Sequence, residues 1–100
     1  MRVRWSPLAL ERVTEIALHI SGDRPDAARR WVEGLFTAAK SLSTFPRRGR
    51  RVPELDRPEY RELIYGRYRV IYRVRDQRVD IVTVRHGRQL LDTSEIENSE

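Results

Sequence analysis

The hydrophobic spacing of this chain changes period once, and that change limits the folds open to it. From Leu10 to Leu42 the apolar residues recur at helical spacing: Leu10, Val13, Ile16, Ala17 and Ile20, then Ala28, Trp31, Val32, Leu35, Ala39 and Leu42. From Tyr60 onward the period is two, and β-branched and aromatic residues crowd each run. A chain of 100 residues is one domain with room for one modest core. Two amphipathic helices and the strands after them therefore have to share that core.

Punctuation residues place the elements. The alternating "RVRW" at 2–5 reads as a first strand. Ser6 is a good helix N-cap, and Pro7 suits the first helical position, where its missing N–H costs nothing. Ser21-Gly22-Asp23 breaks the first helix, Pro25 opens the second, and Phe45-Pro46 closes it. So short a link predicts an antiparallel helix hairpin. The stretch 46–59, with its three prolines, reads as a loop or an irregular edge strand. Strands follow at 60–65, 68–75 and 78–86, joined by two-residue turns at Gly66-Arg67 and Asp76-Gln77. "QLLD" is a short terminal piece, and residues 93–100, polar and acidic, are expected to fray. The expected fold is α+β: a small antiparallel sheet with an N-terminal helix hairpin on one face, in the order β-α-α-β-β-β. It forms a single domain over 1–92, followed by an acidic tail.

The run "YRVIYRV" at 68–74 assigns faces to the sheet. Tyr68, Val70, Tyr72 and Val74 fall on one side and belong against the helices. Arg69 and Arg73 fall on the other, and with Arg85 they are expected to look into a solvent-exposed groove. Ile71 shares that open face and mismatches it.

Charge adds to the expectation of a groove. Residues 47–88 hold 13 basic and 6 acidic side chains, net +7, whereas residues 89–100 hold four acids and no base. Nineteen of the twenty basic residues are arginine, with Lys40 the exception. That bias fits either a GC-rich coding sequence or a surface for phosphate or carboxylate, where a planar guanidinium offers bidentate hydrogen bonds.

Other classes are excluded. There is no cysteine, hence no disulfide framework and no thiolate metal site. No apolar run approaches the ~18 residues of a membrane span, and the charges at Arg2, Arg4, Glu11 and Arg12 leave no export signal. A cytoplasmic location is expected. The chain has no nucleophile elbow, no glycine-rich phosphate loop and no metal-ligand cluster, so neither cofactor nor metal is expected. Trp5 and Trp31 read as core anchors and His19 as a surface residue late in the first helix. His86 ends the last strand inside "VRHGR". It is either a strand-end histidine bonded to a backbone carbonyl or a titratable group that neighbouring arginines keep neutral.

Four pieces, "WSPLAL" at 5–10, "FPRRGRRVPEL" at 45–55, "YRELIYGRYRVIYRV" at 60–74 and "IVTVRHGRQLL" at 81–91, together resemble the RelE/ParE superfamily of bacterial type II toxins, over roughly residues 3–91. The resemblance implies the same small sheet with a helix hairpin. It also implies a growth-inhibiting, plasmid-stabilising partner of a cognate antitoxin, in a homodimer or a toxin–antitoxin heterotetramer. Its branches imply different targets. A RelE-like member is a metal-independent ribonuclease that cuts mRNA on the ribosome, with Arg69 holding the scissile phosphate and Arg85 and His86 as further catalytic candidates. In either branch Arg48, Arg50, Arg51, Arg61, Arg69, Arg73 and Arg88 are candidates for binding. A ParE-like member inhibits DNA gyrase without being an enzyme. The loop has arginines where the ribonucleases usually have lysines, and "GRQLLD" lacks their tyrosine. Both departures, and the wording of "FPRRGR" and "VRHGR", favour the ParE-like branch. A degenerate toxin kept only for antitoxin binding is the third reading. In each case the antitoxin's acidic C-terminal segment is expected to meet the arginines of 47–88.

Overall fold

The structure, a computed structural model, describes residues 1–98. Strand β1 (Arg2–Trp5) leads into helices α1 (Pro7–Ser21) and α2 (Pro25–Lys40), and a single 3-10 turn (Ser41–Ser43) ends the hairpin. Four strands follow: β2 (Arg50–Arg51), β3 (Tyr60–Tyr65), β4 (Tyr68–Arg75) and β5 (Arg78–His86); α3 (Thr93–Asn98) comes last. The sheet order is β1-β5-β4-β3-β2. It is antiparallel except at one edge, where β1 runs parallel to β5. The helix hairpin between β1 and the rest allows this, because a parallel pair needs a long crossover. Of the two readings open for 46–59, the edge strand holds at Arg50–Arg51, which pair with Glu62 and Arg61.

Ser6 caps α1 as its residue type predicts. Its Oγ accepts the Ala9 N–H at 3.0 Å and donates to the Val82 carbonyl at 2.8 Å, so one side chain both starts the helix and ties it to β5. The helix-facing core holds Ala9, Val13, Leu35, Val70, Tyr72 and Ile81, with Tyr68 and Val74 half-buried against it. The faces of β4 are therefore as the alternation reads. Trp5 stacks on Phe36 at 4.5 Å between ring centres, and Trp31 lies between Tyr65 and Tyr68. Both tryptophans pack half-buried at the margin of this core.

The other face is not open. A second apolar cluster of Val52, Tyr60, Ile71, Val82, Leu91 and Ile96 covers it, which removes the mismatch at Ile71. Its roof comes from the loop after β2 and from α3. The expectation that the chain frays from residue 93 is corrected over 93–98: Thr93–Asn98 are helical, with Glu95 and Ile96 buried, while residues 99 and 100 lie outside the described residues. A bulge between Ile71 and Tyr72 of β4 sets Thr83 and Ile81 of β5 opposite them. The extra residue, Val82, turns toward the second cluster.

Tight geometry marks two turns. The β4–β5 turn puts both Asp76 (φ 48) and Gln77 (φ 65) in the left-handed region, the conformation of a type I′ hairpin. Gln77 gains nothing from it. Replacing Gln77 with Gly is expected to raise stability by about 0.5–1 kcal/mol, the strain of a side chain in that region less the added freedom of the unfolded glycine. Urea denaturation checks this, and a loss of stability contradicts it. At Gly49 the backbone approaches closely: a Cβ there would sit 2.5 Å from the Glu62 carbonyl oxygen. The Gly49 N–H donates to the Tyr72 hydroxyl at 2.8 Å, which fixes the arginine-rich loop against β4.

Candidate functional site

Arg69 is the residue on which a phosphate-handling site would turn. β4 places it on the face away from the hairpin, as expected, directly opposite Arg85 of β5. It is not, however, in a solvent-exposed groove. Only 4% of Arg69 is accessible. Its Nε donates to Glu62 Oε1 at 3.0 Å, and its Nη2 reaches Glu62 Oε1 and Glu54 Oε1 at 2.5 and 2.7 Å. Its Nη1 reaches Glu54 Oε2 at 2.8 Å and the Gln89 carbonyl at 3.2 Å. A guanidinium has five N–H donors, and these bonds engage all five.

The acids that hold Arg69 are themselves fixed. Glu62 lies on β3 with a fully buried side chain, and its second oxygen accepts from Arg50 at 2.7 Å. Glu54, in the loop after β2, also accepts the Leu91 N–H at 2.8 Å. One carboxylate thus joins the loop, β4 and the segment leading to α3. The Arg69 hydrogen bonds hold the Glu54 carboxyl down to about 2, well below its ordinary value. A carboxylate with a lowered pKa stabilises the fold above its unfolded pKa and loses that contribution as the pH falls toward its folded one. The stability gap between the parent and Glu54→Gln should therefore be full at pH 6 and narrow from about pH 4.5 toward 2. Melting curves across that range test it, and a gap independent of pH contradicts it.

The same arrangement recurs one strand along. Glu95 of α3 accepts from Arg12 Nε at 2.9 Å and from Arg85 Nη1 at 3.0 Å, and Thr83 Oγ1 donates to it at 3.3 Å. The arginines of the expected groove are largely committed inward, to carboxylates of the same chain.

Of the three catalytic candidates, the structure sets Arg69 apart and brings Arg85 and His86 to one hollow. Arg69 and Arg85 are cross-strand partners on the covered face. His86 follows Arg85 and turns to the hairpin side, edge-on to Tyr68 at 5.5 Å. There it lines a hollow of about 390 Å³ with Arg12, Ile16, His19, Arg85 and Gln89. Its Nδ1 accepts the Arg88 N–H at 3.2 Å, so His86 is a strand-end histidine bonded to backbone, but through an amide and not the expected carbonyl. The binding candidates also divide. Arg48 donates to Ser41 Oγ, Arg61 to the Gly49 carbonyl, and Arg51 lies 3.5 Å from Asp56. Arg73 lies over the Tyr60 ring at 5.6 Å. Arg88 is exposed beside Arg67 in a hollow at the hairpin end.

Sequence reasoning missed the acids. Glu62 was visible: it alternates with Tyr60 and Ile64, which puts a carboxylate on the Arg69 face. Glu54 and Glu95 carry no periodic signal, because one lies in a loop and the other in a run of polar residues. Among the described residues no group of three histidine or acidic side chains converges as metal ligands, and no helix is long and apolar enough to cross a membrane.

The fold and its sequence have known counterparts. The family model for the ParE toxin of type II toxin–antitoxin systems matches residues 3–91. Y4kP of Sinorhizobium fredii is 38% identical over 92 residues, covering 88% of this chain and 90% of that protein. Toxin RelE2 of Caulobacter vibrioides is 39% identical over 90 residues, covering 89% of this chain and 98% of its own length. The solved chromosomal ParDE toxin–antitoxin system of P. aeruginosa superposes with a TM-score of 0.74 at 20% identity, over 86% of this chain and 95% of that one, a likeness of fold. The matched span contains α1, α2, β1 from its second residue, β2 to β5 and the Arg69 network, and the chain belongs to the ParE toxin family of type II toxin–antitoxin systems.

Proposed function

We propose that this toxin arrests growth by binding and inhibiting DNA gyrase, carrying out no bond-breaking chemistry of its own, and that a cognate antitoxin neutralises it. One observation carries the choice between targets. A ribonuclease of this fold would need Arg69 for the scissile phosphate, and all five Arg69 donors are taken by Glu62, Glu54 and a backbone carbonyl. Freeing the side chain would leave two carboxylates without their main partner, one of them fully buried. The Arg69 network stands apart from the hollow that His86 and Arg85 line together, which argues the same way, since an acid or base has to reach the group it serves.

The deciding experiment gives the purified toxin two substrates. With gyrase and a relaxed plasmid, supercoiling should be lost in proportion to toxin, and added antitoxin should restore it. With programmed ribosomes, transcripts should stay intact. Cut transcripts with gyrase unaffected would sink the proposal and return the chain to the ribonuclease branch. No effect on either substrate, with harmless expression in cells, would leave only the antitoxin-binding role.

A further inference from the structure

One part of the arginine-bearing face lies beyond the second apolar cluster that the loop and α3 help to build. It lies at the opposite end from Arg69, where β1, β5 and β4 run side by side. Register puts Arg2, Arg78 and Arg75 in one row across these strands, and Arg4, Asp80 and Arg73 in the next. Residues two apart on a strand share a face, so five guanidinium groups and one carboxylate project together. Like charges directly opposite on neighbouring strands are destabilising, and the first row is three arginines wide.

Among the described residues the acids beside these rows are fewer than the five arginines. Asp80 is engaged by Arg78 Nε at 2.9 Å. Arg75 lies 3.5 Å from Asp76, which is exposed in the turn. Glu59, which pairs with Arg57, feels the charge of Arg73. These side chains enclose a hollow of about 130 Å³, walled by Arg4, Arg73, Arg75, Arg78 and Asp80, with Ser6 at its margin. That space suits one tetrahedral oxyanion. Each arginine fork can present two N–H donors to adjacent oxygens. A phosphate group has enough oxygens for several forks at once, whereas a carboxylate has two.

We propose that this hollow is a phosphate-binding site, occupied by free phosphate or by a phosphate of a nucleotide or polynucleotide, and that it is distinct from the buried Arg69 network. The site stands whichever target the toxin arrests. Bound phosphate offsets the repulsion along the Arg2–Arg78–Arg75 row and so stabilises the folded chain by mass action.

The test uses the full-length toxin. Inorganic phosphate should raise its melting temperature in a saturable way, beyond the effect of sodium chloride at equal ionic strength. A fluorescein-labelled single-stranded oligonucleotide, followed by anisotropy, distinguishes the sources. If it binds more tightly than inorganic phosphate, a polynucleotide backbone is the natural occupant; if it does not, a free phosphate or nucleotide is. In either case the double variant Arg4→Gln, Arg75→Gln should weaken binding at least about tenfold. Arg30→Gln, an exposed change on α2, should leave it near the parent value. In sodium chloride alone the double variant should melt no lower than the parent, because removing like charges relieves repulsion. Phosphate acting only as sodium chloride does would overturn the proposal. So would an equal loss in Arg30→Gln, which would mean net charge alone. Poly-glutamate bound as tightly as the oligonucleotide, and lost in the same double variant, would mark a surface for an acidic protein and overturn it too.

Discussion

Replacing Arg69 with Met is expected to destabilise the fold by about 3–5 kcal/mol, the cost of leaving buried carboxylates without their cation. The side chain of Glu62 is fully buried and that of Glu54 is 21% exposed, so water cannot replace the lost partner at the first and only partly can at the second. Arg50 still reaches Glu62 but is itself largely exposed and holds one oxygen. Arg69→Lys should recover little, because an ammonium cannot span both carboxylates in the plane that the guanidinium does. The double variant Arg69→Met, Glu62→Met should recover much of the loss, since removing both members of a buried pair is far milder than removing one. Urea unfolding of the three variants measures this. A loss below about 1 kcal/mol for Arg69→Met would show that the network contributes no more than a surface ion pair. The same variants separate the two activities. Per folded molecule, gyrase inhibition should persist in the double variant, whereas a ribonuclease relying on Arg69 would lose its cutting.

How far the sequence could be read followed from how local each signal was. The change of period, Ser6-Pro7 and the two-residue turns are local, and the helices and long strands appear where those residues put them. The parallel pairing of β1 with β5 is not local: an alternating run of four residues says nothing about which neighbour it takes or in which direction. The sheet face of Arg69 was legible from alternation, but its exposure was not. Whether a face is open depends on what lies over it, and here the cover comes from Val52, Leu91 and Ile96, all outside the long strands. Charge misled for the same reason. A net excess of arginine across 47–88 predicts an outward-looking basic surface only if the acids are elsewhere, and Glu54 and Glu62 lie within that span while Glu95 folds back onto it. Among the described residues, the rows at the β1 edge keep part of the surplus that the composition implied.

The segment hardest to read is expected to give the second large effect. Ile96 is the lone large apolar residue in the polar run from 93 to 100, and it is 1% exposed. It closes the second apolar cluster over Ile71 and Val82, where Ile96→Ala should cost about 2–4 kcal/mol through lost burial and the cavity left behind. For a chain of this size that lowers the melting temperature by roughly 10–25 °C. A frayed tail would give no more than about 0.5 kcal/mol, as surface substitutions do, so the measurement separates the two descriptions of the C-terminus. Glu95→Gln probes the same helix through its charge. It weakens the contacts to Arg12 and Arg85 while keeping the shape, and it should cost less than Ile96→Ala because both arginines are partly solvated. If the order were reversed, α3 would be held mainly by its ion pairs, and the covered face would depend on salt. The apolar cluster predicts instead that the cover persists at high ionic strength, where exposed pairs are screened and burial is not.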